Sequence, residues 1–99
     1  MLQVNADRLL ADLADLSRIG ATPDGGVNRP ALSDADLDTR AWLQQRAEAA
    51  GLRWDQDGAG NLFVRLQGAD PKAKTVLAGS HLDSVPTGGR FDGPLGVLA

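Results

Sequence analysis

The sequence predicts a layered α/β domain whose sheet is incomplete within these 99 residues. Apolar residues recur at helical spacing in two early stretches, and the second half switches to short strand-like runs separated by glycine and proline. A glycine-rich loop near the carboxyl end then opens onto a further helix, so helices precede and follow the strands.

Over residues 5–19, Leu9, Leu13 and Leu16 fall on one helical face, Asn5 offers an N-cap, and Gly20 can take the left-handed position that ends a helix. Residues 21–30 hold Pro23, Gly25, Gly26 and Pro30, which predict a loop. At Ser33 a capping hydroxyl is followed three positions later by the acidic Asp36. Leu37, Ala41, Leu43, Ala47 and Ala50 then describe a second helix that stops before Gly51. Leu52-Arg53-Trp54 and Leu62-Phe63-Val64-Arg65-Leu66 favour strands, with turn chemistry between them in Asp57-Gly58-Ala59-Gly60, so a hairpin is expected. Thr75-Val76-Leu77-Ala78-Gly79 is a short apolar run bounded by polar residues, the pattern of a central strand buried on both faces. Pro94 suits the first position of a helix through Leu95, Val97 and Leu98, residues left without evident packing partners.

Composition narrows the classes of function. The net charge of −3 and the scattered basic residues provide no footprint for nucleic acid or an anionic membrane surface, which leaves a small-molecule partner. With no cysteine, a metal site here must use histidine and carboxylate ligands. No basic, apolar leader or membrane-length apolar run is present, and a cytoplasmic location is expected.

The chemistry concentrates after the apolar run at residues 75–79. In open α/β sheets ligands gather beyond the carboxyl ends of strands, where His81 and Asp83 fall. Residues two apart in an extended segment share a side, so Asp83 can accept from one nitrogen of the His81 ring while the other binds a metal. Asp92, set among glycines that permit close backbone approach, could bridge two ions. Each residue also has a plainer interpretation. His81 can be a hydrogen-bonded structural residue, Asp92 a helix-starting carboxylate, Gly88 and Gly89 ordinary turn residues, Arg90 a solvated charge, and Trp42 and Trp54 packing residues.

The string from Gly79-Ser80-His81-Leu82-Asp83 through Gly88-Gly89-Arg90-Phe91-Asp92-Gly93 to Ala99 closely resembles the family of N-carbamoyl-L-amino-acid hydrolases and allantoate amidohydrolases. Gly25-Gly26-Val27-Asn28-Arg29, Arg40-Ala41-Trp42, Gly60-Asn61-Leu62 and Gly68-Ala69-Asp70-Pro71 extend the likeness along nearly the whole chain. The resemblance implies the N-terminal part of a zinc-peptidase-like three-layer α/β/α catalytic domain, with residues 1–99 as a fragment of the metal-binding domain and the lid and dimerisation domain outside it. It implies two divalent ions, zinc foremost with manganese, cobalt or nickel as alternatives. His81 and Asp92 become metal ligands, and Asp83 becomes the member of the catalytic apparatus that clamps the imidazole. The implied activity is metal-dependent hydrolysis of C–N bonds, other than peptide bonds, in a linear amide or ureido substrate, by a protein that is a homodimer when complete. The general base and the remaining ligands of the family have no counterpart among these residues, so the 99 residues alone are expected to be inactive. Two alternatives stay open: a metallopeptidase or deacylase of the same clan, and a noncatalytic truncated relic.

Overall fold

The computed structural model describes all of residues 1–99. It contains α1 (Ala6–Leu16), α2 (Asp34–Ala49), β1 (Arg53–Gln56), β2 (Leu62–Arg65) and α3 (Pro94–Leu98), an α/β combination of helices with a small antiparallel sheet. The residues group into two units, one formed by Met1–Arg40 with Ala78–Ala99 and the other by Ala41–Leu77.

In the first unit, α1 starts where Asn5 accepts a hydrogen bond from the Arg8 main-chain N–H at 3.0 Å. Leu13 and Leu16 face inward, each worth about 1.5–3 kcal/mol of burial. The helix is shorter than its apolar period predicts: Ser17 is its C-cap, tight turns follow, and Gly20 takes the left-handed conformation (φ +76°) three residues beyond it. The glycine-rich stretch over residues 21–30 is a loop, as expected, but an ordered one. Val27 is fully buried and bridges Ala21 on one side and Gly88 on the other, its N–H and C=O both paired to Gly88 at 2.9 and 2.8 Å. Gly26 lies so close to Gly88 that a Cβ on it would come within 2.8 Å of the Gly88 carbonyl. Gly88 therefore does more than turn the chain; it ties the loop after Asp83 to the loop after α1.

The predicted cap of α2 is present. Ser33 Oγ accepts from the Asp36 N–H at 3.2 Å, and the Asp36 carboxylate reaches back to the Leu32 N–H at 2.9 Å while taking Arg40 Nε at 3.1 Å. Buried in this part of α2 are the polar Asp36 and Thr39, whereas Leu37 of the expected apolar stripe is exposed. Pro94 occupies the first turn of α3 as predicted. The helix packs on α1, and Leu98 O accepts from Arg8 Nη2 at 3.1 Å, so α3 does have a packing partner although Leu95 stays exposed.

In the second unit the expected hairpin forms, with Trp54 opposite Val64 and Asp55 opposite Phe63. Its turn is organised by Asp57, whose Oδ1 accepts from the N–H groups of Ala59 (3.0 Å) and Asn61 (2.8 Å) and whose Oδ2 accepts from Asn61 Nδ2 (2.8 Å). The Asn61 side chain first, then these main-chain donors, holds the Asp57 carboxyl below the ordinary aspartate range. A depressed folded-state value means that the turn's contribution is fully present above the unfolded aspartate value of about 3.9 and is lost as pH falls through the folded value. Titration of the Asp57 carboxyl by NMR is expected to show this depression, and Asn61→Ala is expected to raise the midpoint towards the ordinary value. An unchanged midpoint in Asn61→Ala would remove the side-chain amide as the main cause. Trp42 has Arg46 over its ring at 5.2 Å and both tryptophans are half-buried, in keeping with a packing role.

The central strand expected at residues 75–79 is absent. The run forms no strand, and Val76 and Leu77 are 93% and 77% exposed. A strand buried on both faces needs neighbours on each edge, and the only strands among these residues are the two already paired in the hairpin.

Candidate metal centre

His81, Asp83 and Asp92 all belong to the first unit, and the fold brings them together. Two hydrogen bonds between Arg29 and Ser84 hold the segment that bears them. Ser84 N–H donates to Arg29 O at 2.8 Å, and Arg29 N–H donates to Ser84 Oγ at 2.9 Å. Arg29 itself is completely buried. Its Nη1 donates to Leu82 O (3.0 Å), its Nη2 to Leu16 O and Ile19 O (each 2.9 Å), and its Nε to Ile19 O (3.2 Å). One guanidinium thus fastens the peptide between His81 and Asp83 to the carboxyl end of α1. Burial pulls the Arg29 pKa below the usual guanidinium value, and the charge of Asp36 opposes that shift. Nothing in the sequence marks this residue for such a role, because an arginine in a Gly- and Pro-rich loop has the pattern of a solvated charge.

The His81 ring is fixed at one nitrogen. Nδ1 lies 2.9 Å from the Asp83 main-chain oxygen and 3.4 Å from the Asp83 Oδ1. Both are acceptors, so Nδ1 carries the proton and donates, leaving Nε2 with its lone pair in the neutral ring. The sequence suggests the Asp83 carboxylate as the clamp; the Asp83 carbonyl is the closer partner and the carboxylate the second. On the other side, Nε2 is 3.7 Å from Asp92 Oδ2. Donors sharing a tetrahedral zinc ion stand about 3.4 Å apart, so a small side-chain adjustment brings these two to a common ion.

Gly93 makes the arrangement possible. Its φ is +91°, and a Cβ on it would run into the His81 carbonyl oxygen and would stand 2.8 Å from ring atoms Cε1 and Nδ1. Asp92 does not cap α3: Gly93 is the N-cap residue and no side chain bonds to the helix start. That removes capping as the reason for Asp92. Arg90 stacks over the Phe91 ring at 4.7 Å.

The donor set of one imidazole and one carboxylate suits zinc and other divalent first-row metals. These two side chains fit a shared ion, but no group of three histidine, cysteine, aspartate or glutamate side chains converges to complete its coordination. A catalytic zinc ordinarily has about three protein ligands, so these two side chains alone would not complete one.

No protein-family model matches the chain. Individual proteins do. It is 48% identical over 97 residues to the N-carbamoyl-L-amino-acid amidohydrolase of Rhizobium meliloti, covering 98% of this chain and 23% of that protein. It is 43% identical over 84 residues to the allantoate amidohydrolase of Escherichia coli, covering 85% of this chain and 20% of that protein. Among solved structures, a hydantoinase/carbamoylase family amidase from Burkholderia ambifaria superposes with a TM-score of 0.95 at 52% identity, over 99% of this chain and 24% of that one. The chain therefore spans about a quarter of the length of the proteins it matches. Over that quarter the backbone superposes closely and about half the residues are identical, so the family resemblance extends along nearly the whole chain.

Proposed function

We propose that this relative of the N-carbamoyl-L-amino-acid and allantoate amidohydrolases supplies part of the metal centre of a hydrolase that cleaves a C–N bond in a linear amide or ureido substrate. The observation that carries the proposal is the His81 ring, held at Nδ1 by Asp83 with Nε2 turned to Asp92 Oδ2. The names of the matched proteins favour carbamoyl-amino-acid or allantoate chemistry over peptide cleavage.

In this proposal His81 Nε2 and Asp92 would hold the metal, Asp92 as the ligand shared by two ions. Asp83 fixes the tautomer and orientation of the imidazole and raises its basicity. Divalent zinc, or manganese, cobalt or nickel in its place, would lower the pKa of a bound water and polarise the scissile carbonyl. Arg29 holds the Leu82 carbonyl and thereby the spacing between His81 and Asp83. The other ligands, the general base, the lid and the homodimer contacts come from outside these residues, so the 99 residues alone are inactive. The chain is then the N-terminal fragment of the metal-binding catalytic domain of a cytoplasmic protein, a small molecule being its only substrate partner.

The test uses the complete protein stripped of metal, assayed for product release from N-carbamoyl amino acids, allantoate, dipeptides and N-acyl amino acids with and without added zinc or manganese. Metal-restored turnover of the first two substrates is expected. Metal-independent turnover would overturn the mechanism, and preference for dipeptides or acyl amino acids would transfer the protein to its peptidase or deacylase relatives. His81→Ala is expected to lower bound metal sharply. Asp83→Asn, which keeps the nearer main-chain acceptor, is expected to lose less. Full metal content and rate in both variants would make these assignments wrong.

A further inference from the structure

We infer that Asp92 is the site at which this protein ages covalently, by isomerisation of the Asp92–Gly93 linkage to isoaspartate. The inference does not depend on the proposed activity. Three aspartates here precede glycine: Asp24, Asp57 and Asp92. In this dipeptide the glycine main-chain nitrogen can attack the side-chain carboxyl carbon. The new N–C bond forms as the C–OH bond of the protonated carboxyl breaks, the N–H proton and the departing hydroxyl leave as water, and a five-membered succinimide results. A second water opens the ring at either carbonyl. Opening at one restores aspartate; opening at the other routes the main chain through Cβ and Cγ. No oxidant or cofactor is consumed, and the mass is unchanged.

The fold protects two of the three linkages. Asp24 Oδ1 takes the Thr22 hydroxyl at 2.5 Å, and the would-be nucleophile, Gly25 N–H, is engaged by Thr22 O at 3.1 Å. Both carboxylate oxygens of Asp57 are occupied by the donors of Ala59 and Asn61. Asp92 differs from Asp24 at both reacting atoms and from Asp57 at the carboxylate. Its side chain is 83% exposed, its nearest polar partner is His81 Nε2 at 3.7 Å, and the Gly93 N–H donates to no acceptor in the chain.

The vulnerability follows from the site's own geometry. Only glycine leaves room for the His81 ring at position 93, and glycine is also the neighbour that least hinders ring closure because it lacks a Cβ. The close packing that orders the imidazole therefore forces the reactive dipeptide onto the carboxylate facing it. Isomerisation would lengthen the main chain by one methylene and carry the carboxylate away from His81.

The test is prolonged incubation of the purified protein in neutral buffer, native and in urea, followed by isoaspartyl methyltransferase labelling and electron-transfer peptide mapping of all three linkages. In the native protein, isoaspartate is expected to accumulate severalfold faster at Asp92 than at Asp24 or Asp57, and in urea the three rates are expected to converge. Equal native rates, or faster accumulation at Asp24 or Asp57, would overturn the inference. So would an Asp92 preference that persists unchanged in urea, since the preference would then come from local sequence rather than from the fold.

Discussion

Arg29→Ala is expected to destabilise the first unit by roughly 3–5 kcal/mol, since each buried carbonyl left without a donor costs about 1–3 kcal/mol and the cavity adds to that. The Arg29 guanidinium satisfies the carbonyls of Leu16, Ile19 and Leu82. Truncation leaves a cavity where a fully buried side chain stood and strips donors from those carbonyls. Against a total stability of about 5–15 kcal/mol for an ordinary domain, the loss is large enough to populate unfolded chain. Arg29→Lys is expected to recover only part, because a single ammonium lacks the planar fork that reaches both α1 and Leu82. Denaturant unfolding measures both variants, and hydrogen exchange at the Ser84 N–H, which donates to Arg29 O, reports whether the loop beside His81 loosens. A loss in Arg29→Ala below about 1 kcal/mol, the scale of an exposed ion pair, would show that the guanidinium is solvated in solution.

That expectation rests on a contact network the sequence does not display. Helices α1 and α2 and the β1–β2 hairpin were legible because their signals are local: leucine spacing and Asn5 for α1, Ser33 with Asp36 for α2, and Asp57-Gly58 between two β-rich runs for the hairpin. Residues 75–79 were not, because an apolar run becomes a strand only when other strands lie beside it, and that condition is set by chain elsewhere. The role of Arg29 was hidden for a related reason. Its burial depends on carbonyls from segments 10, 13 and 53 residues away, so no window around it carries the signal. The candidate site falls between these cases. The pairing of His81 with Asp83 follows from alternation in an extended segment, whereas the approach of Asp92 was suggested by the glycine-rich motif and depends in three dimensions on the left-handed Gly93.

Gly93→Ala therefore tests the site more sharply than removal of a ligand, since every proposed ligand is retained. An L-residue held at φ +91° loses about 1–2 kcal/mol from backbone strain alone. The added Cβ must also displace either the His81 carbonyl or the ring, against which it would lie at 2.8 Å from Cε1 and Nδ1. Moving the ring breaks the 2.9 Å bond from Nδ1 to the Asp83 carbonyl and turns Nε2 away from Asp92. On the scale of lost outer-shell support in metal sites, affinity in the complete protein is expected to fall by about 10–100-fold. Gly89→Ala is the matched control from the same loop, because a Cβ there meets nothing within 4 Å, and it is expected to stay within about 0.5 kcal/mol of the parent. His81 is the only histidine, so its Cε1–H resonance reports ring position without ambiguity. A large shift of that resonance in Gly93→Ala but not in Gly89→Ala is expected. Unchanged resonances in both, with metal affinity intact, would mean that His81 tolerates a Cβ at position 93 and that glycine is kept there for the backbone alone.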